Sequence, residues 1–350
     1  MKYLTLLLIF VPLAIAAELM HASPIVIFFL SALAIIPLSG ILGHATEELA
    51  GHTGPTAGGL INATLGNFAE LVIAGFALRA GLIDLVKASI TGSVLGNLLL
   101  VLGAAQLAGG IKYRTQKINP NLAGMSSTLL VVAVVGLVMP AVFHAVHPDP
   151  LRRATVEMSI GVACFLILGY VLSLVYSMGT HKAIFSEGGD VSSHEAPPTW
   201  SLKKAVLVLV GAAATIGVLS EFLVGSTEEA VKALGLSQIF VGLILIPIIG
   251  NAAEHSSAVM MALKNRMDLA VSISVGSAIQ VSLLVAPLLV LLGVVLGKPM
   301  DLSFTMMEVA SVAVAVGIAS SVMQDSESNW LEGAFLLIAY AVVGVAFFFY

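Results

Sequence analysis

Apolar residues run along this chain in blocks of about twenty, separated by short polar punctuation. A helix that spans a bilayer needs about 20 consecutive, mostly apolar residues, so each block is long enough to cross. Eleven blocks satisfy the pattern: 4–20, 23–49, 58–79, 83–108, 122–145, 154–178, 203–224, 238–263, 267–296, 302–323 and 329–349. Helices satisfy their own backbone hydrogen bonds, as lipid requires. The alternating ten-residue segments of a β-barrel are absent from the sequence. The expectation is an all-α integral membrane protein of about eleven transmembrane helices.

One connection differs from the rest. Residues 179–202 carry Glu187, Asp190, Glu195, Pro197 and Pro198 with few apolar side chains, which predicts a polar, acidic linker. It divides the chain into an N-terminal helix (1–22), a first five-helix repeat (23–178) and a second (203–350). Lys2, the run from Leu4 to Ala17 and the small residues Ala14-Ile15-Ala16-Ala17 imitate a cleavable signal peptide. A retained helix outside the repeats is the expectation. The other loops are short and leave no soluble catalytic domain.

The two halves repeat one another. Residues 58–103 lie on 242–287 without a gap at a constant offset of 184. Gly66, Asn67, Ala69 and Glu70 fall on Gly250, Asn251, Ala253 and Glu254, and Asp84-Leu85 falls on Asp268-Leu269. Gly92-Ser93 matches Gly276-Ser277, and Leu99-Leu100-Val101 matches Leu283-Leu284-Val285. Apolar matches mean little in so apolar a chain, but Asn, Glu, Asp and Gly-Ser matched at one offset carry weight. Equivalent positions are five helices apart, and an odd number reverses the direction across the membrane. The halves are therefore expected to be inverted repeats, an architecture of secondary transporters that bind substrate near the midplane.

Composition closes off the soluble alternatives. Of 350 residues, 59% are hydrophobic and 10% charged, whereas a soluble domain carries about a quarter charged residues. The mean hydropathy is +1.05. The net charge of −5 is thinly spread and does not suggest nucleic acid. Cys164, the single cysteine, lies in an apolar run and is expected to be a packing residue. Lys2, Lys112, Arg114, Lys117, Lys182, Lys203, Lys204, Lys264 and Arg266 fall on one predicted side. Arg79, Lys87, Arg152, Arg153, Lys232 and Lys298 fall on the other. This 9-to-6 imbalance favours a cytoplasmic N-terminus and linker.

The repeated motif is where chemistry concentrates. Asn67 and Glu70 are three apart, as are Asn251 and Glu254, so each pair shares a helix face. Gly66 and Gly250 loosen the helix, and Pro247 removes a further hydrogen bond. Loosened backbone offers carbonyl oxygens beside the side chains. Two carboxylates, two amide oxygens and some carbonyls or waters make a hard-oxygen shell of the kind Ca²⁺ accepts. The alternative is a pair of buried, hydrogen-bonded packing groups, but ionisable residues in mid-membrane are expensive and usually functional. Burial without a cation disfavours the charged carboxylate. One Ca²⁺ or two protons would neutralise the pair, and an empty charged site would resist reorientation. That predicts exchange, with Glu70 and Glu254 as proton-coupling groups. His255 follows Glu254 where Leu71 follows Glu70, and it is either a proton relay or a histidine bonded between helices. Ser93, Asn97, Ser277 and Gln280 either line the cation pathway or bond helix to helix. Glu47 and Glu221 are candidate entrance carboxylates, with Glu48, Glu228 and Glu229 nearby at helix ends. His44, His52, His144, His147, His181 and His194 are expected to be interfacial.

These motifs resemble the Ca²⁺/cation–proton antiporter family, the CAX branch of the cation/Ca²⁺ exchanger superfamily. The resemblance rests on the run from Gly58 to Asn67 leading to Glu70, on Gly250-Asn251-Ala252-Ala253-Glu254-His255, and on Asp325 to Gly333. Ala45-Thr46-Glu47 and Gly92 to Asn97 agree, and the likeness covers nearly the whole chain. It implies eleven helices, with one outside two inverted five-helix halves, and Ca²⁺ exchanged for H⁺ by alternating access. It implies cation binding at Glu70 and Glu254 beside Asn67 and Asn251, and transport roles for His255, Glu47 and Glu221. The short N-terminus implies a prokaryotic-type protein of the cell (inner) membrane. Asp325-Ser326-Glu327 departs from the Gly-Asp pair common before Ser-Asn-Trp. The transported ions are the only ligands implied, without a cofactor.

Three other readings compete. A Na⁺-driven Ca²⁺ exchanger would need further oxygen side chains around the core, and Val281 stands where Asn97 has its counterpart. A passive channel fits paired carboxylates less well than alternating occupancy does. An intramembrane enzyme lacks a nucleophile constellation and the H-E-x-x-H zinc motif.

Overall fold

A computed structural model describes residues 4–53, 55–147, 152–181 and 198–350. A 3₁₀ turn at Leu4–Ile9 leads into α1 (Phe10–Leu19), followed by α2 (Pro24–Gly51), α3 (Pro55–Leu65) and α4 (Phe68–Arg79). Next come α5 (Ile83–Tyr113), α6 (Pro120–Val146), α7 (Arg153–Thr180) and α8 (Leu202–Leu234). The chain continues through α9 (Gln238–Gly250), α10 (Ala252–Leu263), α11 (Met267–Val295), α12 (Met306–Val322) and α13 (Trp330–Phe348). Each of the eleven predicted blocks coincides with one helix or with a broken pair, α3–α4 and α9–α10. Among the described residues seven helices are long and apolar enough to cross a membrane, or eight if the bent α9–α10 pair is one span. Most of the predicted linker, including Lys182, Glu187, Asp190, His194, Glu195 and Pro197, lies outside the described residues.

Local chemistry sets the helix ends. Pro24 and Pro120 open α2 and α6, where a missing N–H costs nothing. Asn119 caps α6 by accepting from the amides of Asn121 (2.9 Å) and Leu122 (3.4 Å). Thr305–Glu308 and Asn329–Glu332 form capping boxes at the starts of α12 and α13. Gly235, at φ 66°, ends α8 in the left-handed conformation. One small element was not anticipated from hydropathy. β1 (Thr115–Lys117) pairs antiparallel with β2 (Glu327–Asn329), with Gln116 opposite Ser328.

The chain divides into two compact units that do not follow the sequence repeats. One comprises Met1–Ser89 and Ser192–Ala253, with Tyr350; the other comprises Ile90–Val191 and Glu254–Phe349. In the first unit α2 lies along α8, and α4 packs on α8, with Gly217 facing the Phe76 ring. The cytoplasm-predicted end of α2 holds the chain that enters α8. Glu48 accepts from the Thr199 hydroxyl and from the Trp200 amide (2.9 Å), and a His52 ring nitrogen lies 2.7 Å from the Trp200 carbonyl. In the second unit α5 and α13 cross at glycines. A methyl on Gly103 would lie 3.0 Å from the Gly333 carbonyl oxygen, and one on Gly110 would strike the Trp330 backbone. Small residues that let backbones approach are how membrane helices pack without a hydrophobic driving force.

Candidate functional site

Both copies of the Gly-Asn-x-x-Glu motif sit at a break in a helix. In the first, α3 stops at Leu65 and α4 starts at Phe68, with Asn67 between them at φ −102°, ψ 30°. In the second, α9 stops at Gly250 and α10 starts at Ala252, with Asn251 at φ −91°, ψ 13°. The two axes at this second break differ by 60°. The cause is legible in the local residues. Pro247 supplies no N–H, a wide π turn at Val241–Leu245 precedes it, and Gly250 ends the helix cheaply. A broken helix exposes carbonyls at its C-terminal stump and amides at its N-terminal one. Each motif glutamate lies in the first turn of the restarted helix, Glu70 in α4 and Glu254 in α10. Carboxylate, amide and backbone oxygens are thus gathered within one turn of each break.

Within the first compact unit, Glu70 of one motif meets Gly250 of the other. A Cβ built on Gly250 would lie 3.4 Å from both Cγ and Oε1 of Glu70, so the first-repeat carboxylate rests against the second-repeat glycine. Asn67 and Asn251 are both buried. In the second unit, Glu254 Oε2 and His255 Nε2 are buried with no hydrogen-bond partner among the described residues. Buried polar atoms are nearly always satisfied, and exceptions call for an explanation such as an ion or water. No group of three or more His, Cys, Asp and Glu side chains converges among the described residues. A cation at these breaks would therefore draw on amide and backbone oxygens as well as carboxylates.

The serine and asparagine layer is also assembled in the second unit. Asn97 is fully buried, and its Nδ2 donates to Ser277 Oγ (3.0 Å) and to the Ser93 carbonyl (3.0 Å). Ser93 and Ser277 are repeat counterparts, so Asn97 ties one to the other. Asn97 lies in a π turn at Gly96–Val101, and Val281 opens the matching turn at Val281–Val285. Gln280, half-buried, immediately precedes that second turn. Such turns shift the register of the helix and often mark functional sites.

The outer carboxylates behave differently. Glu47 is 71% exposed, with a His44 ring nitrogen 3.5 Å away, and Glu221, Glu228 and Glu229 are exposed on α8. Glu48, open between an entrance carboxylate and a solvated helix end from sequence, is buried against Thr199 and Trp200. Sequence reasoning missed a further buried carboxylate, Glu308. Its Oε2 accepts from the Thr305 amide (2.9 Å) and hydroxyl (2.8 Å), and its Oε1 from the Thr91 hydroxyl (3.3 Å). The capping-box spacing Thr-x-x-Glu was the available signal.

Comparison with known proteins places this architecture. The model of the sodium/calcium exchanger protein family matches residues 23–179 and 204–349. The chain belongs to that family. Among exchanger relatives, a Ca²⁺/H⁺ antiporter of Synechocystis is 44% identical over all of this chain and 98% of its own. The Ca²⁺/H⁺ antiporter ChaA of Bacillus subtilis is 41% identical over 97% of this chain and 96% of its own. The solved structure of native YfkE superposes with a TM-score of 0.86 at 38% identity, covering 99% of both chains. The chain is thus an exchanger-family membrane protein with the inverted-repeat transporter fold.

Proposed function

We propose that this chain exchanges Ca²⁺ for H⁺ across a prokaryotic cell membrane by alternating access. The observation that carries the proposal is the pair of broken helices, each presenting Asn and Glu at the break, with Glu70 against Gly250. The names of its Synechocystis and Bacillus relatives agree with it. In this reading Glu70 and Glu254 bind the cation, Asn67 and Asn251 contribute amide oxygens, and exposed carbonyls complete the shell. Ca²⁺ favours such an irregular oxygen set. The same two carboxylates take up protons when the cation leaves, because a charged, empty group in low dielectric is costly. His255, with its buried ring nitrogen, assists proton movement. Asn97, Ser93, Ser277 and Gln280 line the path, and Glu47 and Glu221 attract cations to its mouth.

The test is Ca²⁺ uptake by the purified protein in proteoliposomes under an imposed pH gradient. Uptake is expected to collapse with the gradient. Uptake indifferent to the pH gradient but driven by a Na⁺ gradient would replace proton antiport with sodium exchange.

A further inference from the structure

The helix that carries Glu254 is held at its far end by three side chains that the transport chemistry does not use. Lys112 Nζ and Tyr113 Oη both donate to the Leu263 carbonyl, at 2.8 and 2.9 Å. Gln116 Nε2 donates to the Ala262 carbonyl and to Asn265 Oδ1, each at 2.9 Å. Those are the last carbonyls of α10, of which Ala262 O also accepts from the Asn265 amide (3.0 Å), and a cation is favoured beside them. Gln116 is buried in a cradle that Gly109 makes possible, since a Cβ there would strike its Oε1. The β1–β2 ladder fixes Gln116 from behind, and Asp268 Oδ1 accepts from the Asn119 amide (2.6 Å) on the other side of the turn.

The repeat shows that these bonds are an addition. The turn itself is common to both halves. Gly81 (φ 82°) and Asn265 (φ 61°) are counterparts at the offset of 184, and both end their helices left-handed. Leu82 N bonds to Ala77 O as Arg266 N bonds to Met261 O, each at 3.0 Å. The donors are not common. At the same offset Lys112, Tyr113 and Gln116 correspond to Leu296, Gly297 and Met300. If the left-handed residues Arg114 and Gly297 are matched instead, the counterparts are Val295, Leu296 and Pro299. In either register no side-chain donor exists.

We infer that Lys112, Tyr113 and Gln116 form a one-sided latch on α10 that biases the resting conformational equilibrium. In an inverted-repeat transporter the two access states arise by rocking or gating of one repeat or bundle against the other around a fixed site. Perfect symmetry would leave those states nearly equal in free energy, and an element present in one half shifts the balance. The latch lies among Lys112, Arg114, Lys117, Lys264 and Arg266, the basic end that the positive-inside rule places in the cytoplasm. It ties the cytoplasm-predicted end of α10 to the end of α5 in the observed conformation, and its loss lowers the population of that conformation. This inference rests on the antiport reading for its consequence, not for its geometry.

The experiment measures apparent Ca²⁺ KM at each face of oriented proteoliposomes. The apparent dissociation constant is the intrinsic one divided by the fraction of competent protein, so the ratio of the two KM values reports the equilibrium. Removing a net hydrogen bond's worth of bias shifts that ratio by about fivefold. The double substitution Lys112→Met/Tyr113→Phe is expected to change the ratio of the two KM values by at least about that factor. Gln116→Leu is expected to do the same, while Lys112→Arg keeps the wild-type ratio. An unchanged ratio, or both KM values rising together as kcat falls, overturns the latch and leaves antiport standing. If Gln116→Leu does not fold, the double variant decides, because its two residues lie at the surface. If the unmodified chain exchanges no Ca²⁺, the antiport reading fails. Hydrogen exchange at the amides of residues 264–266 then decides the latch: lost protection in the double variant supports it, and retained protection overturns it.

Discussion

Gly250→Ala separates stability from transport. The backbone at Gly250 lies outside the left-handed region, so alanine fits it without strain. The added methyl would sit 3.4 Å from Glu70 Cγ and Oε1 and 3.6 Å from Cδ, which is ordinary contact. Folding should therefore tolerate the change, and alanine's better helix propensity is worth up to about 1 kcal/mol. The cost falls on the site. A Ca²⁺ ion approaches carboxylate oxygen to about 2.3–2.6 Å, and the methyl occupies one side of that oxygen. Turning Glu70 aside by about 30° from its rotamer costs about 0.5–1.5 kcal/mol, or roughly 2- to 13-fold in apparent affinity. The assay pairs a thermal melt in detergent with the Ca²⁺ dependence of uptake under a pH gradient. A melting temperature at or above wild type with a KM raised by that factor is expected. A wild-type KM would show that the Gly250 side of Glu70 is not used by the cation, and the proposed coordination would have to move.

Other predictions follow from the same geometry. Glu70→Gln and Glu254→Gln keep size and remove charge, so each should abolish pH-driven Ca²⁺ uptake while size-exclusion profiles stay unchanged. Asn97→Ala takes away the donor shared by Ser277 and the Ser93 carbonyl; losing these two buried hydrogen bonds should cost about 1–3 kcal/mol in denaturant melts. Gly333→Ala would bring a methyl to 2.7 Å from the Gly103 carbonyl oxygen. The backbone there cannot yield as a side chain would, so a loss of about 1–3 kcal/mol is expected from the forced separation of α5 and α13. Thr305→Val removes the cap of α12 and a donor to Glu308, and should cost about 0.5–2 kcal/mol by the same measurement.

What hydropathy could reveal was set by the solvent it reports on. Lipid demands apolar length, so the eleven blocks were legible, and the Gly-Asn-x-x-Glu copies stood out because polar residues are rare in such blocks. Gly66, Pro247 and Gly250 pointed to loosened helices, and the breaks at Asn67 and Asn251 lie where those residues put them. The missed features depend on residues far apart in sequence. Gln116 looks like an ordinary loop polar residue until α10 brings the Ala262 carbonyl to it, 146 positions away. Glu48 at a helix end gave no sign that Thr199 and Trp200 would bury it.

The repeat makes such long-range features interpretable, because it supplies a control within the same chain. Where both halves keep a feature, as with the helix breaks and the left-handed turns after α4 and α10, symmetry alone accounts for it in both access states. Where one half departs, symmetry no longer accounts for the feature and a separate role is needed. His255 against Leu71 is next in sequence to the proposed cation carboxylates and fits a role in serving the ion. Lys112, Tyr113 and Gln116 bond to carbonyls eight and nine residues beyond Glu254 along α10, roughly 13 Å at 1.5 Å per residue. At that distance they cannot ligate the ion, and the ratio of the two KM values tests whether they weight the equilibrium.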